Sequence, residues 1–113
     1  MKLGEWGENQ AVKYLERNGY KIIETNFRCK LGEIDIIAAE RDCLCFVEVK
    51  TRRTLTYGMP REAITKTKLK HILNSAKYYV LTNQISDIDL RIDAIEILYL
   101  DDQEYISHTM NIS

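Results

Sequence analysis

Two apolar stretches of this chain carry charges in places where burial makes them costly. Gly32 to Ala39 sets Asp35 among Ile34, Ile36, Ile37 and Ala38, and Leu44 to Thr51 sets Glu48 and Lys50 among Phe46, Val47 and Val49. Runs this apolar read as strands covered on both faces. Glu40-Arg41-Asp42-Cys43 between them reads as a hairpin turn. With Arg41 and Asp42 as a two-residue loop, Asp35 falls opposite Glu48, and Lys50 shares the face of Glu48. Carboxylates so opposed lie about 5 Å apart, and in a half-buried sheet their repulsion keeps one protonated. A divalent cation removes the conflict, since two carboxylates and water suit Mg²⁺ and leave positions for phosphate oxygens. Such an ion activates water and stabilises charge developing on a phosphodiester. Lys50 beside it would orient the attacking water or stabilise the pentavalent transition state. The competing reading is a buried ion triad of Asp35, Glu48 and Lys50 with no ligand, an arrangement that contributes little stability.

The N-terminal segment repeats the anomaly. Leu3 to Asn18 reads as a helix with Gly19 as its stop. Glu8 stands on the face of its apolar stripe, Ala11, Val12 and Leu15. A metal or the Lys50 ammonium would partner it; otherwise it stays solvated near the helix start, where the dipole favours it. Glu5 competes for the same role. In Arg91-Ile92-Asp93, the two charged residues share a face with Ile95 and read as a structural salt bridge, with a lesser chance of supporting the site.

The elements that position these groups follow from periodicity. Tyr20 to Phe27 is β-rich. Pro60, after Tyr57-Gly58-Met59, leads into a helix over Pro60 to Leu81, with Leu69, Ile72, Leu73, Ala76 and Val80 on one face. Asp89 to Tyr99 is a strand and Glu104 to Met110 a short edge strand. The predicted order is α-β-β-β-α-β-β, an α/β fold with a mixed central sheet flanked by helices. With 113 residues and no linker, the chain reads as one domain over residues 1–113, able to bury roughly 65 % of its unfolded surface.

Net charge is −1, but its distribution is uneven. Lys50 to Lys77 holds eight basic residues and one acidic residue, a local charge of +7, which is an electrostatic footprint for phosphate or else a solvated face. On the second helix, Lys66, Lys70 and Lys77 line one flank of the apolar stripe, and Arg61 and Lys68 the other. They either snorkel or hold a phosphate backbone. Cys29, Cys43 and Cys45 form no CxxC pattern and no disulfide framework; Cys43 and Cys45 read as small hydrophobes on one strand face. His71 and His108 are isolated, which argues against a zinc site. No signal-peptide pattern is present, and the longest apolar run, Cys43 to Val47, is far short of a membrane span. A cytoplasmic protein without membrane contact is the expectation.

Asp35 followed after a gap by Glu48-Val49-Lys50 is similar to the signature of the PD-(D/E)xK nuclease superfamily, and the element order resembles its restriction-endonuclease-like core. More narrowly, the chain resembles the YraN family of endonuclease-like bacterial proteins, distantly similar to archaeal Holliday junction resolvases. The resemblance rests on Gly4-Glu5-Trp6-Gly7-Glu8, Asn26-Phe27-Arg28, Gly32-Glu33-Ile34-Asp35-Ile36-Ile37-Ala38, Phe46-Val47-Glu48-Val49-Lys50-Thr51-Arg52, Gly58-Met59-Pro60-Arg61-Glu62-Ala63, Lys68 and Arg91-Ile92-Asp93. It implies a Mg²⁺ or Mn²⁺ site from Asp35 and Glu48, with Glu8 as a further acid and Lys50 as catalytic lysine. Lys68 and Arg52 would contact phosphate. Two departures are Ile34, where the superfamily has proline, and Ile92, where an aromatic is usual.

The expected function is a metal-dependent endonuclease acting on duplex or branched DNA, such as a Holliday junction, as a homodimer. The alternative is a non-catalytic module that binds nucleic acid or protein through the same fold. RNA or another phosphodiester is a third reading; few aromatic residues lie in the basic segment, so single-strand stacking finds little support there.

Overall fold

The computed structural model describes residues 2–53 and 65–112. Along the chain these form α1 (Leu3–Arg17), β1 (Lys21–Cys29), β2 (Gly32–Glu40), β3 (Cys43–Arg52), α2 (Lys66–Thr82), β4 (Asp89–Leu100) and β5 (Gln103–Thr109). The strands make one mixed sheet in the order β1-β2-β3-β4-β5. Neighbours are antiparallel except β3 and β4, which run parallel. A parallel pair needs a crossover of a dozen or more residues, and the segment containing α2 supplies it.

The β2–β3 hairpin pairs Glu40 with Cys43 and continues in register to Ile36 opposite Val47. Arg41 and Asp42 are the two loop residues, and Arg41 takes a positive φ of 54°. Both strands are apolar because both faces are covered. On one face α1 packs Ala11 and Leu15 against Ile36, Ala38, Cys45, Val47, Val49, Ile95 and Ile97. On the other, α2 packs Ile72, Ala76 and Tyr79 against Ile34, Ile37, Leu44, Phe46 and Ile92. Leu69, Leu73 and Val80 complete the helix stripe. Alternation along β3 is regular, so Glu48 shares the α2 face with Leu44 and Phe46. Alternation along β2 is not. Ile34 lies with Ile37 on the α2 face, whereas Ile36 and Ala38 lie on the other, so the strand changes phase at Asp35.

Helix α1 ends at Asn18, and Gly19 follows with φ +88°, the left-handed conformation that glycine adopts without strain. Near its start, Gly7 approaches the end of β3 so closely that a Cβ there would overlap the Thr51 hydroxyl. This contact seats the first turns of α1 over the C-terminal end of β3. The second helix starts later than the predicted Pro60. The Thr65 hydroxyl accepts the Lys68 N–H at 3.1 Å, and this capping bond sets the first turn at Lys66. Residues 60–64, including Arg61, lie outside the described residues.

Arg91 and Asp93 form the structural pair expected of them. Asp93 is fully buried and accepts from Arg91 Nε at 2.9 Å and Arg91 Nη2 at 3.0 Å. His108 Nε2 lies 2.8 Å from the same carboxylate, and the Asn111 N–H donates to it at 3.0 Å. Tyr14 Oη sits 3.0 Å from His108 Nδ1, and Arg91 Nη2 donates to Tyr20 Oη at 2.6 Å. These contacts tie α1, β4, the outer strand β5 and Asn111 together, and they hold the Asp93 carboxyl below its usual range despite its burial. Cys43 and Cys45 are free thiols on one strand face with sulfurs 4.0 Å apart. Among the described residues no helix is long and apolar enough to cross a membrane.

Candidate active site

Where the β2–β3 ladder ends, Asp35 replaces a rung. Its Oδ2 accepts the backbone N–H of Val49 at 2.8 Å, so the carboxylate is held by the strand next to it. Burial pushes its pKa up; the Val49 bond and the nearby Lys68 ammonium oppose that, and Glu33 adds to it. Glu48 is 6 % exposed. Burial, followed by the charge of Asp35, pushes its pKa up to about 7. Its Oε1 takes the Lys68 ammonium at 3.2 Å, while its Oε2 is buried with no hydrogen-bond partner. The two carboxyl groups therefore sense one another across the hairpin, as their spacing along the chain implied.

The cation on Glu48 is Lys68, from the first turn of α2. The ligand-free reading of the sequence put Lys50 in that place, and the resemblance made Lys68 a candidate for phosphate contact. Lys50 is exposed on β3, beside Glu96 of β4 in the register. Burial pulls the Lys68 pKa down, but Glu48, Asp35 and Glu33 outweigh that and raise it. Arg52, the other candidate for phosphate contact, is 9 % exposed and its Nε lies 2.8 Å from Glu96 Oε1. A buried guanidinium needs such a partner. Lys66 and Lys70 lie exposed on α2, as a flanking position on an amphipathic helix requires.

Glu8 is half-buried on α1 and faces the same region. Burial and then Asp35 raise its pKa, with further contributions from Glu33 and Glu5, while a hydrogen bond from the Asn26 side chain opposes them. Among the described residues Asn26 is thus a hydrogen-bond partner of Glu8. Asn26 has φ 55°, which asparagine tolerates better than most residues. Glu8 is thus a first-helix acid that feels the charge of Asp35. Among the described residues no three His, Cys, Asp or Glu side chains converge as a ready ligand set; the converging acids are the pair Asp35 and Glu48.

Glu96 was missed by the sequence reading, and Asn26 entered it only within the motif Asn26-Phe27-Arg28, without a role. No misplaced charge marks Asn26. Glu96 did carry one, a carboxylate between Ile95 and Ile97 on a strand, the same anomaly that singled out Asp35 and Glu48. Burial raises its pKa, Arg52 and Lys50 oppose that, and its Oε2 is buried without a hydrogen-bond partner.

The family model described as "Uncharacterised protein family UPF0102" matches residues 7–97, a span that takes in Glu8, Asn26, Asp35, Glu48, Lys50, Lys68 and Glu96. A UPF0102 protein of Caldicellulosiruptor saccharolyticus is 49 % identical over 96 residues, covering 85 % of this chain and 81 % of its own. One from Acetivibrio thermocellus is 50 % identical over 95 residues, covering 83 % and 73 %. One from Clostridioides difficile is 44 % identical over 108 residues, covering 96 % and 93 %. A family-model match across most of the chain, with relatives this similar over most of their own length, shows that the chain belongs to family UPF0102, the YraN family its motifs resemble.

Proposed function

We propose that the chain is a metal-dependent endonuclease on a restriction-endonuclease-like core, hydrolysing DNA phosphodiesters with a preference for branched or junction DNA, in the cytoplasm. The observation that carries this reading is Glu48 Oε2, a buried carboxylate oxygen without a hydrogen-bond partner beside a second carboxylate. Buried polar atoms are almost always satisfied. A buried pair of carboxyl groups, in which Asp35 raises the pKa of Glu48 and one oxygen is unmet, suits Mg²⁺ or Mn²⁺. Asp35 and Glu48 would hold the ion, and Glu8, through its coupling to Asp35, would add negative potential or a water-mediated contact.

When bound, the ion would supply a Lewis acid for the phosphate and an activated water. The chain's own groups do the rest. The Val49 N–H holds Asp35 in one orientation. Glu48 gives up the proton that burial favours, with Lys68 as a standing counter-charge. Lys50, exposed two residues beyond Glu48, would donate to the phosphate oxygens as water adds to phosphorus and the P–O ester bond breaks. Lys66 and Lys70 would hold flanking phosphates.

The test is calorimetric titration of Mg²⁺ and Mn²⁺ into the wild type and Asp35→Asn, followed by cleavage assays on linear and four-way-junction DNA. Binding and cleavage that both vanish in the variant would support the reading. No metal binding by the wild type, with or without a junction oligonucleotide, would sink it. One observation favours the non-catalytic alternative: Lys68 already neutralises Glu48 without an ion.

A further inference from the structure

Residues 93 apart in sequence meet at the end of the sheet. Trp6 of α1 and Tyr99 of β4 stand edge to face, with ring centroids 5.7 Å apart and an interplanar angle of 75°. Beside this contact opens a cleft of about 320 Å³, lined among the described residues by Leu3, Trp6, Arg53 and Tyr99. That volume is at the low end of the roughly 300–1,000 Å³ usual for small-ligand sites. The Tyr99 hydroxyl donates a long hydrogen bond to Asp102, 3.3 Å.

Two rings at a steep angle form a corner. A flat ligand stacked on one presents its edge to the other, an arrangement that aromatic quadrupoles favour. Arg53 supplies a cation at the mouth of this corner. It follows Lys50 and Arg52, so the end of β3 brings three basic residues within four positions. By alternation Arg53 lies on the α1 face with Val49, whereas Lys50 and Arg52 lie on the α2 face with Glu48. The cleft and the acid pair therefore flank one strand end from opposite sides. An apolar side chain of a partner protein could fill the corner but would bring no anion to Arg53. A nucleotide brings both a flat ring and a phosphate.

We propose that this cleft takes one unstacked nucleobase of single-stranded DNA, stacked in the Trp6–Tyr99 corner with its phosphate on Arg53. The inference deepens the nuclease reading and rests on it for the choice of nucleic acid. It points to substrates with unpaired segments, such as flaps or opened junctions, because a base within a duplex cannot enter. It also revises the view that stacking finds little support: the aromatic residues lie outside the basic stretch of sequence and join it only in the fold.

Trp6 is the chain's single tryptophan, so its emission reports on the cleft directly and needs no cleavage. The experiment titrates full-length protein in EDTA with a short oligothymidylate and, separately, with a blunt duplex, following Trp6 emission and the anisotropy of a labelled oligonucleotide together. The expected result is saturable quenching by the single strand and none by the duplex. Tyr99→Ala and Arg53→Ala should each weaken single-strand binding by roughly ten-fold, about the loss of one stacked base. Arg53 is exposed, so its variant keeps the fold if Tyr99→Ala does not. Three results would overturn the proposal: anisotropy that reports binding while Trp6 emission stays unchanged, no binding of the single strand, or emission that depends only on protein concentration, which would mark a second copy as the occupant. Intact metal-dependent cleavage with a silent Trp6 would sink the cleft alone. Quenching in a protein that binds no metal would sink the nuclease reading alone.

Discussion

Replacing Glu48 by glutamine tests the reasoning about the acid pair most directly, because it should make the protein more stable while disabling the site. In the folded chain Glu48 titrates near about 7, against an ordinary value of 4.5. The folded state therefore binds the proton more tightly than the unfolded state does, and stability falls as pH rises from 4.5 to about 7. Above that window the ionised Glu48 costs at most about 3 kcal/mol. The Lys68 pair offsets little beyond what the shift already contains, since that side chain is 39 % exposed and such pairs are worth up to about 1 kcal/mol. Glutamine keeps the shape and removes the titration. Glu48→Gln should then be more stable than wild type by about 1–2 kcal/mol at pH 8, with the difference shrinking toward zero by pH 4.5. In urea this is a midpoint shift of roughly 1 M. Melts at both pH values decide the matter. A variant that is less stable than wild type at pH 8, or a difference that does not change with pH, would refute the account of a carboxylate strained by burial and by Asp35. Mg²⁺ titration of the same variant should show lost binding. In the wild type, affinity should fall with pH by up to ten-fold per unit below 7, as the ion must displace the Glu48 proton.

Other changes separate the roles of the basic and structural groups. Lys50→Met should leave Mg²⁺ affinity and stability near wild type while cleavage falls at least a hundred-fold; lost metal affinity would instead make Lys50 a counter-ion of the acids. Lys66→Glu with Lys70→Glu should weaken DNA binding equally for unrelated sequences and flatten its salt dependence, and affinity at low salt that does not move would leave that flank a solvated surface. Asp93→Asn leaves the Arg91 guanidinium with only the weaker Glu40 contact at 3.6 Å and the Tyr20 hydroxyl, and should destabilise the chain by about 2–3 kcal/mol without changing metal affinity per folded molecule; a loss below 1 kcal/mol in urea melts would contradict its placement at the centre of the α1–β5 contacts.

The hairpin was legible because two local rules agreed. Period-two apolar patterning identified the strands, and a two-residue loop at Arg41 and Asp42 set the register that places Asp35 near Glu48. The first helix was legible from its stripe and Gly19. Which cation meets Glu48 was not, because Lys68 reaches it from another element, and a helix position says nothing of the strand it will cross. The partner of Arg52 was hidden for the same reason. At the end of an apolar strand Arg52 looks like a free basic group, and only the parallel pairing of β3 with β4 brings Glu96 to it. Glu96 itself was readable, since it breaks an apolar strand as Asp35 does. The Trp6–Tyr99 corner joins residues that lie just outside the two ends of the matched family region, and no window of sequence contains both.

The sheet has a kinetic consequence. Its spatial order repeats its order along the chain, so each strand adds to a neighbour already made, and most pairings close short loops. The exception is the parallel step through α2, which also delivers Lys68. Asp35 and Glu48 are thus brought together by a local hairpin before the ammonium that relieves them arrives. The hairpin that forms most easily is also the one that meets the repulsion first. Refolding should accordingly slow as pH rises through the range in which the two carboxyl groups ionise, and divalent ions should restore it. Refolding rates that do not change across that range would place the arrival of α2 ahead of the hairpin.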